Sequence, residues 1–301
     1  MAGHGCGMER MVANTHAMSN GPGKPGTSDA GFVERIRDAI DRQELSMVYQ
    51  PQADVFTNRL TGFEALSRWR LSDGTMLPPD VFVPMAEQGD AIHLLGEWTL
   101  RAACTAAAGW LRAGILDVPV SVNLSARQLD DPGLVLKVLG VLAETGLPAA
   151  NLKLELTETA MFSQGADARE ALMQLRGAGI RMVLDDFGTG WSSLATLRRV
   201  PVEALKIDKQ FVQAMVEDRD AAAIVQAVIA LAHALDLTVV AEGVETAEQR
   251  LYLQAYRCDT LQGYWLSRPL SADGVAEFLA ERRVVIGRKP GGPSVVPPTS
   301  G

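Results

Sequence analysis

Leu152-Lys153-Leu154-Glu155-Leu156-Thr157 alternates without a break, with three leucines on one side and lysine, glutamate and threonine on the other. Residues two apart in a strand share a face, so the segment predicts a strand that is greasy on one side and polar on the other. Its neighbours repeat the pattern. Val118, Val120 and Val122 stand opposite Ser121 and Asn123 in VPVSVN. Leu205 and Ile207 oppose Lys206 and Asp208 in EALKID, and Val239 and Ala241 oppose Thr238, Val240 and Glu242 in LTVVAE. RMVLDD, residues 181–186, is a further short run of this kind. An open doubly wound sheet is covered by helices on both sides and is apolar on both. One polar face per strand instead predicts a closed (β/α)8 barrel, with greasy faces against outer helices and polar groups at the C-terminal mouth, where barrel active sites lie.

Helical spacing fills the intervals. Leu134–Leu147, Ala166–Leu175, Ile224–Leu235 and Thr246–Tyr256 are helical candidates, and Phe32, Ile36 and Ile40 predict a helix that opens the folded body. Residues 1–30 are rich in Gly, Ser, Asn and Met and read as a flexible leader or linker. Residues 287–301 (GRKPGGPSVVPPTSG) read as a disordered tail, which leaves 31–286 as one barrel domain.

The chain has 301 residues, 47% of them hydrophobic, and a formal charge of -8. That composition buries a large core and argues against binding long nucleic acid, which needs a basic surface. Three scattered cysteines and four scattered histidines offer neither a disulfide framework nor a zinc site, so any metal must be held by oxygen. The apolar run Ala221–Leu235 is too short for a bilayer and is broken by Gln226 and His233. With no signal peptide pattern, a cytoplasmic location is expected.

Near the strand ends stand Glu64, Asn123, Glu155, Asp185, Asp186, Lys206, Glu242 and Gln262. A closed barrel would bring them to one pocket, where so many carboxylates repel one another unless protonated or neutralised by cations. An oxygen donor set suits Mg²⁺ or Mn²⁺, and adjacent carboxylates such as Asp185 and Asp186 can serve two ions. This points to a metal-dependent hydrolase acting on a phosphate ester, with Lys206 orienting water. Each residue has an ordinary explanation when taken singly. The Asp pair could cap a loop, Lys206 and Asp208 could form a structural ion pair, Arg68 a surface salt bridge, and Gly188 and Gly190 a tight turn. Acids at so many strand ends at once outweigh those readings.

Eight motifs in order then resemble the EAL-domain cyclic di-GMP phosphodiesterase family. They are Tyr49-Gln50-Pro51, Glu64-Ala65-Leu66-Ser67-Arg68-Trp69, SVNLS around Asn123, ELTE from Glu155 to Glu158, DDFGTG from Asp185 to Gly190, LKID from Leu205 to Asp208, AEGVE from Ala241 to Glu245, and QGY with SRP from Gln262 to Pro269. The resemblance implies a variant (β/α)8 barrel with its first strand antiparallel, which opens cyclic di-GMP to linear 5′-pGpG with two Mg²⁺ or Mn²⁺ ions. By position it implies Glu64, Asn123, Glu155, Asp185, Asp186 and Glu242 as metal ligands, and Glu64, Lys206 and Glu242 as catalytic residues. Gln50, Leu66, Arg68, Asp208 and Gln262 would line the substrate groove. Glu158, Phe187, Gly188, Thr189, Gly190 and Glu245 would support a loop that helps build a homodimer. Trp191 stands where the family commonly has Tyr, and Gln52 follows the YQP. No cyclase motif is present, although a sensory or cyclase module could precede the domain in a longer protein. The rival reading is a non-catalytic cyclic di-GMP receptor; such receptors lose metal ligands, and this chain keeps every matched one.

Overall fold

A computed structural model describes residues 29–162, 165–188 and 201–280. The expected leader and tail, and Thr189, Gly190 and Trp191 of the loop, lie outside the described residues. Among the described residues nine strands run β1 (Leu45–Asp54), β2 (Leu60–Arg70), β3 (Met76–Leu77), β4 (Val120–Asn123), β5 (Leu152–Thr157), β6 (Arg181–Phe187), β7 (Ala204–Ile207), β8 (Thr238–Ala241) and β9 (Thr260–Gln262). Their order is β1-β9-β8-β7-β6-β5-β4-β2-β3, and a β1–β2 pairing closes eight of them into a barrel with β3 added outside. β1 is antiparallel to both β2 and β9, while the other barrel pairs are parallel. The inverted first strand implied by the resemblance is therefore present.

The alternation sorts the side chains as expected. Leu152, Leu154 and Leu156 are buried with Val120, Val122, Leu205 and Val239 in one large core between barrel and helices. Register places Asn123 beside Glu155 and Glu64 beside Ser121, so the polar faces stack around the lumen. The expected helices form at Leu134–Thr145, Ala166–Gly177, Arg219–Ala234 and Ala247–Ala255. The third begins five residues before its first expected residue, Ile224, because Asp218 caps it by accepting from the Asp220 amide. The first stops at Thr145 because Gly146 takes a left-handed φ of 73°. Among the described residues no helix is long and apolar enough to cross a membrane.

A second, smaller core lies beside the mouth. Ile36 and Ala39 of helix Asp29–Asp41 pack there with Trp69 at the end of β2 and with Phe82, Ile92 and Leu95. Phe32 lies 6.1 Å from the Trp69 ring and the Arg35 guanidinium 5.5 Å from it, and the indole donates to Glu44 at 3.1 Å. This lobe backs Arg68, the residue before Trp69.

Candidate active site

The barrel brings its charged strand ends to one ammonium group. Lys206 Nζ, from the inward face of β7, lies 2.6 Å from Glu155, 2.6 Å from Glu242, 3.1 Å from Asp185 and 3.4 Å from Glu64. Lys206 and Glu155 are each only 1% exposed. Gln262 of β9 and Asn123 of β4 both donate to Glu64, Asn123 at 3.1 Å. Gln50, across the β1–β2 ladder from Glu64, donates to the Ser267 carbonyl at 3.4 Å. Residues far apart in sequence thus meet because their strands lie side by side around the barrel.

Strict alternation would send Asp185 and Asp186 to opposite sides of β6, yet both acids reach the pocket. The ladder to β7 slips between Leu184 and Phe187, and Asp186 holds a φ of 55°. A β-bulge of this kind re-aims a side chain at the rim of a barrel. Its left-handed residue is one that Asp tolerates better than most.

The carboxylates are badly matched to their surroundings without further positive charge. Burial pushes the Glu155 carboxyl up, and Glu64 and Asp185 add to it against the pull of Lys206, leaving it at about 8. Burial also raises Glu242 well above the carboxylate range, helped by Asp185 and Glu64. Glu64 goes the other way: burial is outweighed by Lys206 and the Gln262 and Asn123 amides, and its carboxyl sits low. Asp186 rises to about 6 through burial, the Asp185 and Asp208 charges, and a hydrogen bond with Asp208. Oε1 of Glu155 is buried without a hydrogen-bond partner among the described residues.

These features fit divalent cations. Glu64, Glu155 and Asp185 bring one oxygen each within 4.8 Å of one another, and so do Asp185, Asp186 and Glu242. Asp185 belongs to both sets, the arrangement a bridging carboxylate between two ions needs. All the donors are oxygens, which suits Mg²⁺ or Mn²⁺.

A model of the EAL domain matches residues 33–269. The chain belongs to the EAL domain family. A solved structure described as the PaMucR phosphodiesterase in complex with c-di-GMP superposes with a TM-score of 0.77 at 39% identity, over 81% of this chain and 99% of that one. The EAL enzyme Bd1971 in a cAMP-bound form gives 0.78 at 32% identity, over 83% and 70%. Among curated relatives, the bifunctional diguanylate cyclase/cyclic di-GMP phosphodiesterase MucR of Pseudomonas aeruginosa is 40% identical over 249 residues, 83% of this chain and 36% of that protein. The cyclic di-GMP phosphodiesterase NbdA of the same organism is 39% identical over 257 residues, 85% and 33%. The chain spans about a third of the length of these two curated relatives.

In this EAL domain the remaining expected residues divide into two groups. Leu66, Arg68, Asn123, Glu155 and Asp186 line one cavity of about 600 Å³ that opens at the mouth, and Arg68 donates to the neighbouring Ser67 carbonyl at 2.8 Å. Gln262 is held beside them because Gly263 lets the chain press on Val244, where a Cβ would lie 2.1 Å from the carbonyl oxygen. Away from the cavity, Glu245 is exposed and accepts from Gln213 at 3.0 Å. Phe187 is buried, Gly188 takes a φ of 100°, and Glu158 is buried with Oε2 unpartnered among the described residues.

The ion pair considered between Lys206 and Asp208 does not form. Asp208 instead caps helix Lys209–Ala214, accepting from the Gln210 amide at 2.7 Å, while Lys206 turns to the four acids. One site residue passed unassigned in the sequence. Gln52, noted there only for following the YQP, is buried in the lumen and donates to Gln262 at 2.8 Å. The period-two rule places it on the Gln50 face, so that signal was available.

Proposed function

We propose that this EAL domain is a divalent-cation-dependent phosphodiesterase that opens cyclic di-GMP to linear 5′-pGpG. The observation that carries the reading is the pair of overlapping carboxylate trios sharing Asp185. Glu64, Asn123, Glu155, Asp185, Asp186 and Glu242 would hold two Mg²⁺ or Mn²⁺ ions. When bound, these supply Lewis-acid charge at the scissile phosphate. Arg68 offers a phosphate oxygen directed, charge-assisted hydrogen bonds, while Gln50, Leu66, Asp208 and Gln262 shape the groove. The oxygen of a water attacks phosphorus, the P–O3′ bond breaks, and the proton the water loses ends on O3′. Lys206 would orient that water, and Glu242 would move the proton. The same reading carries a homodimer built near Glu158 and the loop after Phe187, a cytoplasmic location and an upstream module as expectations.

The assay is direct. Purified protein is incubated with cyclic di-GMP and Mg²⁺ or Mn²⁺, and the nucleotides are separated by chromatography. Linear product that vanishes on chelation and in Glu64→Ala supports the reading. Tight binding without turnover makes the chain a receptor; neither binding nor turnover sinks both.

Two further results are expected. Glu155 and Glu242 hold protons that a cation must displace, so Mg²⁺ binding releases protons and tightens as pH rises from 6 towards about 8. The sign carries over to stability. A carboxyl raised above its unfolded value stabilises fully below that value and less as pH climbs through the folded one. The metal-free protein therefore weakens between about pH 5 and 8, and Mg²⁺ raises Tm more at pH 8 than at pH 6; an equal rise at both would contradict the protonated pair. Ca²⁺ is expected to inhibit, because it takes more ligands at longer distances, and stimulation would contradict the compact trios.

A further inference from the structure

Helix Ala91–Arg112 carries a glycine, Gly96, in its second turn, where alanine is the better helix former. The side chain of Gln128 explains it: a Cβ at position 96 would lie 2.0 Å from Gln128 Nε2 and 2.7 Å from its Cδ. The amide of Gln128 therefore lies flat in a notch that only glycine leaves open. From there its Oε1 accepts from the Ser125 amide at 3.1 Å, while Ser125 Oγ accepts from the Gln128 amide at 3.4 Å. This reciprocal cap closes the turn that follows β4.

The turn begins two residues after Asn123. Leu124 between them is tied to β5, its amide donating to the Glu155 carbonyl at 2.8 Å. Asn123 is itself exposed at the mouth, so burial does not fix it. Its side chain reaches Glu64 from a backbone that the cap holds in place. Gly96 and Gln128 also line the cavity that contains Arg68, Asn123 and Glu155.

We propose that Gln128, seated in the Gly96 notch, is a positioning residue that sets Asn123 for cation binding. The inference rests on the functional reading above, and its test keeps the two apart. Mn²⁺ binding is measured directly, from the electron paramagnetic resonance signal of the free ion, for the parent, Gly96→Ala, Gln128→Ala, Gln128→Glu and the double alanine variant. Gly96→Ala and Gln128→Ala should each weaken binding by about tenfold, the scale seen when a ligand loses its supporting hydrogen bonds. Gln128→Glu keeps the acceptor for Ser125 and should stay within about threefold of the parent, where loss of packing alone would not be rescued. The double variant should match Gln128→Ala, since both changes act through one contact. Parent-like binding in Gly96→Ala, or multiplied losses in the double variant, overturns the inference. A parent that binds no Mn²⁺ overturns the functional reading and the inference with it.

Discussion

Replacing Asp185 by asparagine is expected to lower cyclic di-GMP hydrolysis by about two to three orders of magnitude, the range for removing a group aimed at transition-state charge. The substitution keeps shape and removes one negative charge. Its effect is large because Asp185 alone belongs to both carboxylate trios, so its replacement strips an anionic oxygen from each. The remaining acids should still bind one ion, so Mn²⁺ titration should show one tight site and one greatly weakened. Stability should change little: the repulsion by which Asp185 raises Glu155 and Glu242 goes, and so does its 3.1 Å ion pair with Lys206. Near-parent rates in Asp185→Asn would remove the case for two ions, whatever the stability showed.

Lys206→Met should give the largest change in stability. It takes away the ammonium that Glu64, Glu155, Asp185 and Glu242 share in a fully buried setting. Burial works against that charge, but Asp185, Glu155, Glu242 and Glu64 hold the lysine well above its ordinary value, so it stays cationic through the neutral range. Breaking a buried ion pair from one side costs about 3–5 kcal/mol. Here the acids can take up protons instead, so the loss should be near the lower figure, about 10 °C in Tm at this size. The deficit should widen from pH 5 to pH 8 because Glu64, which Lys206 holds low, loses the cation that favours its charged form, and saturating Mg²⁺ should recover much of it. Turnover should nevertheless stay down about a hundredfold, because a cation restores charge but not a donor for water. A variant melting with the parent at pH 8 would mean that the ammonium is not what reconciles the four acids.

Most of this site could be read before any fold was known, because alternation assigns faces. Glu155 and Lys206 each sit on the polar side of a strand whose other side is unbroken Leu, Val or Ile, and closing the barrel brings such sides together. Asp186 shows where that rule runs out. By alternation it should point away from Asp185, and only the bulge with its left-handed residue turns both carboxylates inward. No local composition announces a bulge at an Asp-Asp pair, since it arises from the mismatch between β6 and β7. The Lys206–Asp208 ion pair does not form for a related reason: the two share a face, but the strand ends at Ile207 and Asp208 caps the helix that follows. The notch at Gly96 was equally hidden, because a glycine inside a helix and a glutamine 32 residues later meet only in three dimensions.

Because β1 runs against its neighbours, its first residue, Leu45, pairs with Trp69 at the mouth end of β2. In a barrel of eight parallel strands the polypeptide would enter at the floor, a full strand length from the chemistry. Here it comes in at the doorway, with helix Asp29–Asp41 leaning on the indole next to Arg68. A push or twist on that helix is delivered to the rim of the mouth, with no need to travel through the barrel wall.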